Sequence, residues 1–365
     1  MGLLVETVLV FIALLGVLVL FHEFGHFIVA KLLRMKVEEF AFGMGPLIVR
    51  LFRRGGTEFN VRAVPIGGFV KIAGMEPGEE SEVENGFNSR PIWQRALVIF
   101  AGPFMSLVLA LIVFVMMGYV WGFASDKATN EVLVVTAGSV AEKAGLKADD
   151  VIVAVNGRRV VDGNSMTDII HKSPGRPVTL EIERKDKKVM ITAVPALSDN
   201  PVLKNPKLTK EERSKLPKKV GLLGFSPKAE IVRPGLIGSI AWGTTQTYEF
   251  IVMTVRGLFS KDIKQAGGPV MIGYATQKSV EQGPESVFFL LALLSLSLGV
   301  INLIPWPILD GGHILLLLVE LIRGKKLEPE RWMAVQAVGI TVLVGLMVFL
   351  VGWDIWRIAT KSLPQ

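Results

Sequence analysis

Three long uncharged runs constrain the fold of this chain more than any other feature of its sequence. They are Ala96–Ser125, Ser286–Leu309 and Trp332–Trp353, and each has at least 22 residues. About 20 apolar residues are enough to cross the hydrocarbon core of a bilayer as a helix. Only 20% of the 365 residues are charged, against about 25% in a soluble domain. The sequence therefore predicts an integral membrane protein.

A fourth apolar segment, near the N-terminus, contains three ionisable side chains. Residues 7–30 are apolar except for His22, Glu23 and His26. The uncharged part before them, Thr7–Phe21, has 15 residues and is too short to cross a membrane alone. A spanning helix must therefore carry these side chains into the membrane, where an ionised group costs about 2.5–3.5 kcal/mol. That cost indicates that they have a function.

The three side chains form an H-E-x-x-H motif, in which His22 and His26 flank Glu23 and Gly25. Residues i and i+4 share a face of a helix, so both imidazoles can bind one ion, and Zn²⁺ is the ion expected for this motif. Glu23 can then act as general base toward a water on the metal. Gly25 leaves room for another element to approach the helix. A catalytic zinc usually has three protein ligands and a water, so one ligand is still missing.

The missing ligand is expected in the run that starts at Ser286. Pro305 and Pro307 interrupt a helix there, and irregular backbone at membrane depth is tolerated only where it is buried in protein or lines a cavity. Asp310 follows this break and is the favoured third ligand. His313, one turn later, is the alternative, either as a ligand or as a hydrogen-bond partner of one. The amide of Asn302 can contact a substrate carbonyl or can instead cap the broken helix.

Two motifs together resemble the site-2 intramembrane metalloproteases, and specifically their bacterial RseP-type members. They are H-E-x-x-H at His22–His26 and N-x-x-P-x-P-x-L-D-G-G at Asn302–Gly312. The resemblance covers nearly the whole chain, because connecting stretches are also similar: Val64–Lys71, Phe87–Arg90 with Gln94-Arg95, and Ala101–Pro103.

The resemblance has consequences for the site and one exception. It implies that Asp310 completes a zinc site with His22 and His26, and that Asn302 contacts substrate. The family often has Asn where this chain has Ser106, which affects only a local contact of the second span. The resemblance further implies substrates that are already shortened outside, such as anti-sigma factors or signal-peptide remnants.

The cations next to the spans predict the orientation. Lys31, Arg34 and Lys36 follow the first span, and Arg323–Lys326 follow the third. Short cytoplasmic loops carry the excess of Lys and Arg. We therefore expect a multi-pass protein of the bacterial inner membrane with both termini extracytoplasmic.

The segments between the spans predict two further structures. Leu47–Val64 reads as a hairpin, which the resemblance makes part of a membrane-associated sheet whose edge can receive an extended substrate. The strand and helix order between Asn130 and Pro195 resembles one PDZ domain of the bacterial type. Such domains bind chain ends by strand addition, but no clear glycine loop for a carboxylate precedes Val132. A domain that only excludes large ectodomains is therefore an equal alternative.

These predictions define a polytopic α-helical membrane protein with about four transmembrane helices, a membrane-associated β-sheet or hairpin and one inserted extracytoplasmic PDZ-like α/β domain. The predicted boundaries are 1–36 for the first span, 37–95 for the cytoplasmic β region and loop, 96–124 for the second span, 126–198 for the PDZ-like domain, 199–232 for a basic linker and return segment, 233–285 for an interfacial amphipathic region, 286–322 for the third span and 332–357 for the fourth.

The predicted activity is that of a zinc endopeptidase acting on single-span membrane proteins within the lipid bilayer. A membrane carrier for metal ions or protons, using the buried His/Asp cluster, is the main alternative; it needs neither Glu23 nor a PDZ domain. A catalytically inactive scaffold that binds peptides through the PDZ domain is a second alternative, and the intact H-E-x-x-H motif together with Asp310 disfavours it. The net charge of +7 does not predict a nucleic-acid partner, because aromatic and basic residues do not interleave as a stacking groove requires. The absence of cysteine excludes disulfides and thiolate chemistry.

Overall fold

The computed structural model describes residues 2–75, 83–204, 209–258, 267–325 and 328–360. Parts of the acidic loop at 76–84, of the basic linker and of the cations after the third span lie outside these ranges. The chain forms two compact units. The first consists of Met1–Trp121 with Pro234–Gln365, and the second is Gly122–Arg233.

In its described residues, the first unit is mainly helical and contains one small sheet. Short 3-10 turns apart, its elements before the second unit are α1 (Gly2–Leu32), β1 (Val37–Arg54), β2 (Thr57–Ile72) and α2 (Ile92–Val120). The second unit contains β3 (Phe123–Val135), α3 (Val140–Lys143), β4 (Val151–Val155), β5 (Arg158–Arg159), α4 (Gly163–His171), β6 (Val178–Arg184), β7 (Lys187–Ala193), β8 (Ala196–Asp199), α5 (Lys210–Lys215), β9 (Lys219–Leu222) and β10 (Phe225–Val232). The chain then returns with α6 (Gly235–Leu258), α7 (Pro269–Gln282), α8 (Pro284–Asn302), α9 (Asp310–Arg323) and α10 (Pro329–Ala359).

Among the described residues, four helices are long and apolar enough to cross a membrane: α1, α2, α8 and α10. The predicted number of about four transmembrane helices is therefore confirmed by the length and composition of the helices. The predicted third span, 286–322, is two helices, since α8 ends at Asn302 and α9 begins at Asp310. Pro305 and Pro307 lie in the gap and supply no backbone N–H to continue a helix. α2 begins at Ile92, directly after Pro91, rather than at residue 96.

Glycines bring the helices of the first unit into close contact. A Cβ added at Gly25 of α1 would lie 2.2 Å from the carbonyl oxygen of Ala101 on α2, and one added at Gly299 of α8 would lie 2.9 Å from the carbonyl oxygen of Pro103. Both contacts require a residue without a side chain. The backbones of α1, α2 and α8 therefore meet next to the H-E-x-x-H motif.

The region predicted as interfacial, 233–285, contains α6 and α7. α6 packs on α2: a Cβ at Gly243 would lie 2.7 Å from Val115 Cγ2, and the rings of Phe250 and Phe114 stack with centroids 5.6 Å apart. Its interfacial position in the membrane stays a prediction.

The small sheet consists of β1 and β2, which fold into four strand segments. Residues 39–42 pair on one side with 58–61 and on the other with 68–71, while 47–54 pair with 57–62. The sheet runs alongside α1, because Lys31 Nζ donates to the carbonyl of Gly55 at 2.7 Å and a Cβ at Gly16 would lie 3.1 Å from the ring of Phe42. Gly16 and Lys31 are about 22 Å apart along α1, at 1.5 Å per residue, so the sheet follows the helix over about this length.

The second unit is built on a sheet that, in the described residues, has the strand order β10-β3-β4-β6-β7, with β5 paired to β4. The second unit, Gly122–Arg233, is larger than the predicted domain at 126–198. The segment predicted as a linker, 199–232, contains the strands β9 and β10, which both pair with other strands of this unit. β8 pairs with β9, and β10 pairs with β3, with Val232 opposite Phe123. Burial of Leu223 in the core of this unit explains why the return segment folds against it.

An ion pair between Asp150 and Arg184 stabilises this sheet. Arg184 donates to both carboxylate oxygens of Asp150, at 2.6 and 2.7 Å, and the N–H of Lys147 adds a bond of 2.8 Å. Burial alone would raise the pKa of Asp150, but the hydrogen bonds from Arg184 and Lys147 outweigh it, so the pKa lies below its usual value. The carboxylate therefore stabilises the folded state above the pKa of the unfolded chain, and this contribution is lost as the pH falls below it.

Replacement of Asp150 by Asn should destabilise the second unit by about 1–2 kcal/mol, because the partly exposed Arg184 loses its charged partner. We expect faster hydrogen exchange of the β4 and β6 amides in the full chain at pH 7, and a smaller difference from wild type below about pH 4. Asp168→Asn, at an exposed pair with Lys172, is the control. Equal protection in Asp150→Asn and wild type at pH 7 would contradict this account.

Candidate metal centre

Three side chains from two separate helices converge in the first unit. His22 and His26 lie one turn apart on α1, and Asp310 is the first residue of α9. His22 Nε2 lies 3.1 Å from one carboxylate oxygen of Asp310, and His26 Nε2 lies 3.5 Å from the other. One donor atom from each residue falls within 4.8 Å of the others. The structure therefore brings together the three residues that the sequence predicts as metal ligands.

Both imidazoles are oriented by α2 through their other ring nitrogen. His26 Nδ1 donates to the carbonyl of Val98 at 2.8 Å. His22 Nδ1 lies 3.1 Å from Ser106 Oγ, and the Ser106 hydroxyl lies 3.4 Å from the carbonyl of Gly102. A carbonyl only accepts, so the proton of neutral His26 is on Nδ1 and its Nε2 lone pair faces the carboxylate. Such a partner fixes the ring orientation of a metal-ligating histidine.

Gly102 of α2 closes the site from one side. A Cβ at this position would lie 2.2 Å from His26 Nε2 and 2.9 Å from His22 Nε2. Any other residue would occupy the space between the two ligand atoms. The nearest approach of α2 to the imidazoles therefore requires glycine.

This donor set fits a zinc ion. Two neutral imidazole lone pairs and a carboxylate repel one another unless a cation lies between them, and two His with one carboxylate are a known ligand set for catalytic zinc. The atoms that face one another are the Nε2 atoms and the carboxylate oxygens, whereas the Nδ1 atoms are engaged by Val98 and Ser106. His22, His26 and Asp310 would hold the ion.

Glu23 lies on α1 between the two histidines and is attached to the small sheet. The backbone N–H of Val70 donates a hydrogen bond to its carboxylate. β2 approaches α1 here because of a glycine: a Cβ at Gly68 would lie 3.0 Å from Val19 Cγ1 and 3.8 Å from Glu23 Cγ. The sheet thus borders the site on the side of Glu23.

The site opens into a cavity of about 320 Å³. The ligands, Glu23 and Asn302 line it together with apolar side chains and two glycines of β2: Val19, Gly67, Gly68, Leu298, Ile308 and Leu309. Asn302 is the last residue of α8, and its side-chain amide lies 3.5 Å from His22 Nε2. The five residues that the sequence favours for metal binding and catalysis therefore surround one cavity.

His313, the alternative ligand, faces another helix. Its ring stacks on Trp332 of α10 with centroids 5.2 Å apart, and its Nε2 lies 3.3 Å from the side-chain amide of Gln336. The geometry favours Asp310 over His313 as the third ligand.

Sequence reasoning missed the contribution of α2. Ser106 contacts His22, so the departure from the family pattern affects the orientation of a ligand. Two signals were available: within the apolar run that forms α2, Ser106 is an isolated hydroxyl, and Gly102 lies one turn before it. The role of the Val98 carbonyl could not be predicted from the sequence, because every residue has a backbone carbonyl.

The candidate metal ligands lie among membrane-length helices with a carboxylate beside them, which is the arrangement expected of an intramembrane zinc metalloprotease. A family model described as Peptidase family M50 matches residues 10–346. The chain belongs to Peptidase family M50. The predicted class of enzyme and its zinc cofactor are thereby confirmed.

Curated relatives of this chain are bacterial and cover nearly its full length. The chain is 28% identical to the "Zinc metalloprotease RasP" of Geobacillus kaustophilus, over 96% of this chain and 97% of the relative. It is 29% identical to the "Probable protease eep" of Enterococcus faecalis, over 96% and 99%. It is 33% identical to the "Putative zinc metalloprotease FN1322" of Fusobacterium nucleatum, over 96% and 99%. The protein is thus a bacterial membrane protein.

Replacement of Ser106 by Ala should weaken zinc binding by about 10-fold, because His22 loses the group that orients it. The measurement is the zinc dissociation constant of the purified protein by competition with a chelator. Thr276→Ala, which removes a buried hydroxyl that donates to the Ile272 carbonyl of its own helix, should bind zinc like the wild type. Unchanged affinity in Ser106→Ala would show that Ser106 does not orient His22.

Proposed function

We propose that this protein cleaves a peptide bond within or beside a transmembrane helix of a single-span membrane protein. The observation that carries the proposal is the shared cavity, which contains the His22, His26 and Asp310 ligand set, Glu23 and Asn302. The ligands belong to α1, one of the four membrane-length helices, and to α9, which follows another. A water and a peptide carbonyl can meet there away from bulk solvent.

The residues around the cavity have distinct roles in this proposal. His22, His26 and Asp310 would hold a zinc ion, which would act as a Lewis acid toward the carbonyl and make water acidic enough to act near neutral pH. A carboxylate oxygen of Glu23 accepts the proton of the attacking water and delivers it to the leaving amide nitrogen. The side-chain amide of Asn302 donates a hydrogen bond to the oxygen of the substrate carbonyl. This bond stabilises the negative charge that develops on that oxygen during the attack. The Val70 N–H holds Glu23 in place.

The substrate is bound in an extended form along β2. A helix has its carbonyls in hydrogen bonds, so it must unwind before one of them can enter the site. Residues 68–72 form an edge strand of the small sheet. In the described part of the chain this segment pairs only with β1, on one side. An extended peptide can add to this edge as a further strand, next to Gly67 and Gly68 in the cavity wall.

The second unit acts as a size filter in this proposal. Among the described residues, β10 is the last strand at one end of its sheet, and the Thr136 N–H donates to the carbonyl of Gly224. Because successive residues of a strand alternate in direction, Phe225 and Pro227 turn their backbone groups to the free edge. Pro227 has no N–H to donate, which disfavours an added strand.

The orientation follows from the cations, as in the sequence prediction. The second unit and both termini lie outside the bacterial inner membrane, and Lys31 lies at the cytoplasmic end of α1. Substrates with large external domains are then excluded until another protease has shortened them. The carrier alternative gives no role to Glu23, whose carboxylate borders the cavity without belonging to the ligand group.

Replacement of Glu23 by Gln should abolish cleavage and retain the metal. We expect stoichiometric zinc by elemental analysis and a cleavage rate about 10²–10⁴-fold lower for a tagged single-span substrate in proteoliposomes, because the general base is lost. Glu6→Gln, on the same helix, is the control and should cleave normally. Normal cleavage by Glu23→Gln, or zinc transport by both proteins without cleavage, would overturn the proposal.

Replacement of Gly68 by Ala should lower kcat/KM by about 10–100-fold without changing zinc affinity. The new Cβ would lie 2.8 Å from the carbonyl of Ala41 and 3.0 Å from Val19 Cγ1, so the edge that receives the substrate must move. Gly257→Ala, where nothing lies within 4 Å, is the control. A wild-type kcat/KM in Gly68→Ala would speak against substrate binding at this edge.

A further inference from the structure

An ion pair joins α2 to α9 at some distance from the cavity. Arg95 donates to both carboxylate oxygens of Glu320, at 2.5 and 2.9 Å. The Arg95 side chain is 5% exposed and that of Glu320 is 13% exposed. Arg95 Nε also donates to the carbonyl of Arg90 at 3.1 Å. The pair is therefore enclosed, and it has the two-pronged geometry that fixes the relative position of two groups.

Both charges lie at the helix ends that disfavour them. Arg95 is in the first turn of α2, which begins at Ile92, and Glu320 is in the last turn of α9, which ends at Arg323. Cations are favoured at the C-terminal end of a helix and anions at the N-terminal end. The stability of either helix thus does not explain these residues. Their role must come from the contact between the two helices.

α9 needs such a contact because its connection to α8 is irregular. Residues 303–309 separate the two helices, so α8 does not impose a position or a rotation on α9. Asp310 and Leu317 are two turns apart and share a face of α9, and Leu317 packs in a buried cluster with Val98 and Ile99 of α2. Glu320 lies one turn further, about 15 Å along the helix from Asp310.

The same stretch of α2 also orients the other ligands. Val98, whose carbonyl accepts the hydrogen bond of His26, lies one turn after Arg95. We propose that the Arg95–Glu320 pair is a positioning device for the third metal ligand. The pair fixes the position of α9 along α2 and the rotation of α9 about its own axis. It thereby sets the distance of Asp310 from His22 and His26. This inference rests on the proposed zinc site.

The test compares metal binding with stability in the purified full chain. Arg95→Lys keeps the charge but loses the two-pronged contact, and Glu320→Gln removes one charge. We expect each to weaken zinc binding by about 10–100-fold and to change the visible spectrum of bound Co²⁺, which reports ligand geometry. The exchanged pair, Arg95→Glu with Glu320→Arg, should recover zinc affinity to within about fivefold of wild type. Glu328→Gln, at an exposed pair with Arg331, should behave like wild type.

A purely structural role gives a different result. The thermal midpoint of the zinc-free variants would fall, while zinc affinity and the Co²⁺ spectrum of the folded protein stayed as in wild type; that outcome overturns the inference. An exchanged pair that folds and binds zinc as weakly as the single variants also overturns it. If the exchanged pair does not fold, Arg95→Lys alone decides.

Failure of the proposed function is recognised separately. Wild-type protein that binds no zinc, or Asp310→Asn protein that binds it with unchanged affinity, removes the metal site itself. Wild-type and Asp310→Asn proteins that behave as expected, together with unaffected pair variants, remove only the role of Arg95 and Glu320.

Discussion

At Gly25 the backbone of α1 lies against the carbonyl of Ala101, and the rest of the site depends on this contact. It brings α2 close enough for Val98 and Ser106 to reach the Nδ1 atoms of His26 and His22. It also places Gly102 where any side chain would fill the space between the ligand atoms. A Cβ at Gly25 would separate the two helices, and both histidines would lose their partners together.

Several enclosed polar groups of the first unit share one feature: each is held by a partner from another element. His26 is held by α2, Glu23 by β2 and Arg95 by α9. At the far end of α10, the buried Asp354 accepts hydrogen bonds from the N–H groups of Gly268 and Met271 at the start of α7. In a bilayer there is no water to replace a lost partner. Polar contacts between helices therefore specify the arrangement, while apolar contacts with lipid are unspecific.

The sequence allowed prediction of the features that depend on local patterns and on the free-energy cost of placing polar side chains in a membrane. Uncharged run lengths predicted three of the four spans, and the three costly side chains of the remaining apolar segment indicated both the first span and the metal site. Pro305 and Pro307 predicted the break before Asp310. Long-range pairing was not predictable in this way: β10 joins β3 across about a hundred residues of chain, and Glu320 is 225 positions from Arg95. Nothing in the composition of residues 199–232 distinguishes strands of a folded unit from a basic linker.

The pairing of β3 with β10 has a consequence for how this family can vary. Phe123 lies opposite Val232, so the chain enters and leaves the second unit at neighbouring positions. An insertion whose two ends are adjacent leaves the host unaffected by the length between them. Evolution can enlarge, duplicate or exchange this module while α2 and α6 keep their packing. The unit that holds the candidate metal centre and the inserted second unit can then diverge independently.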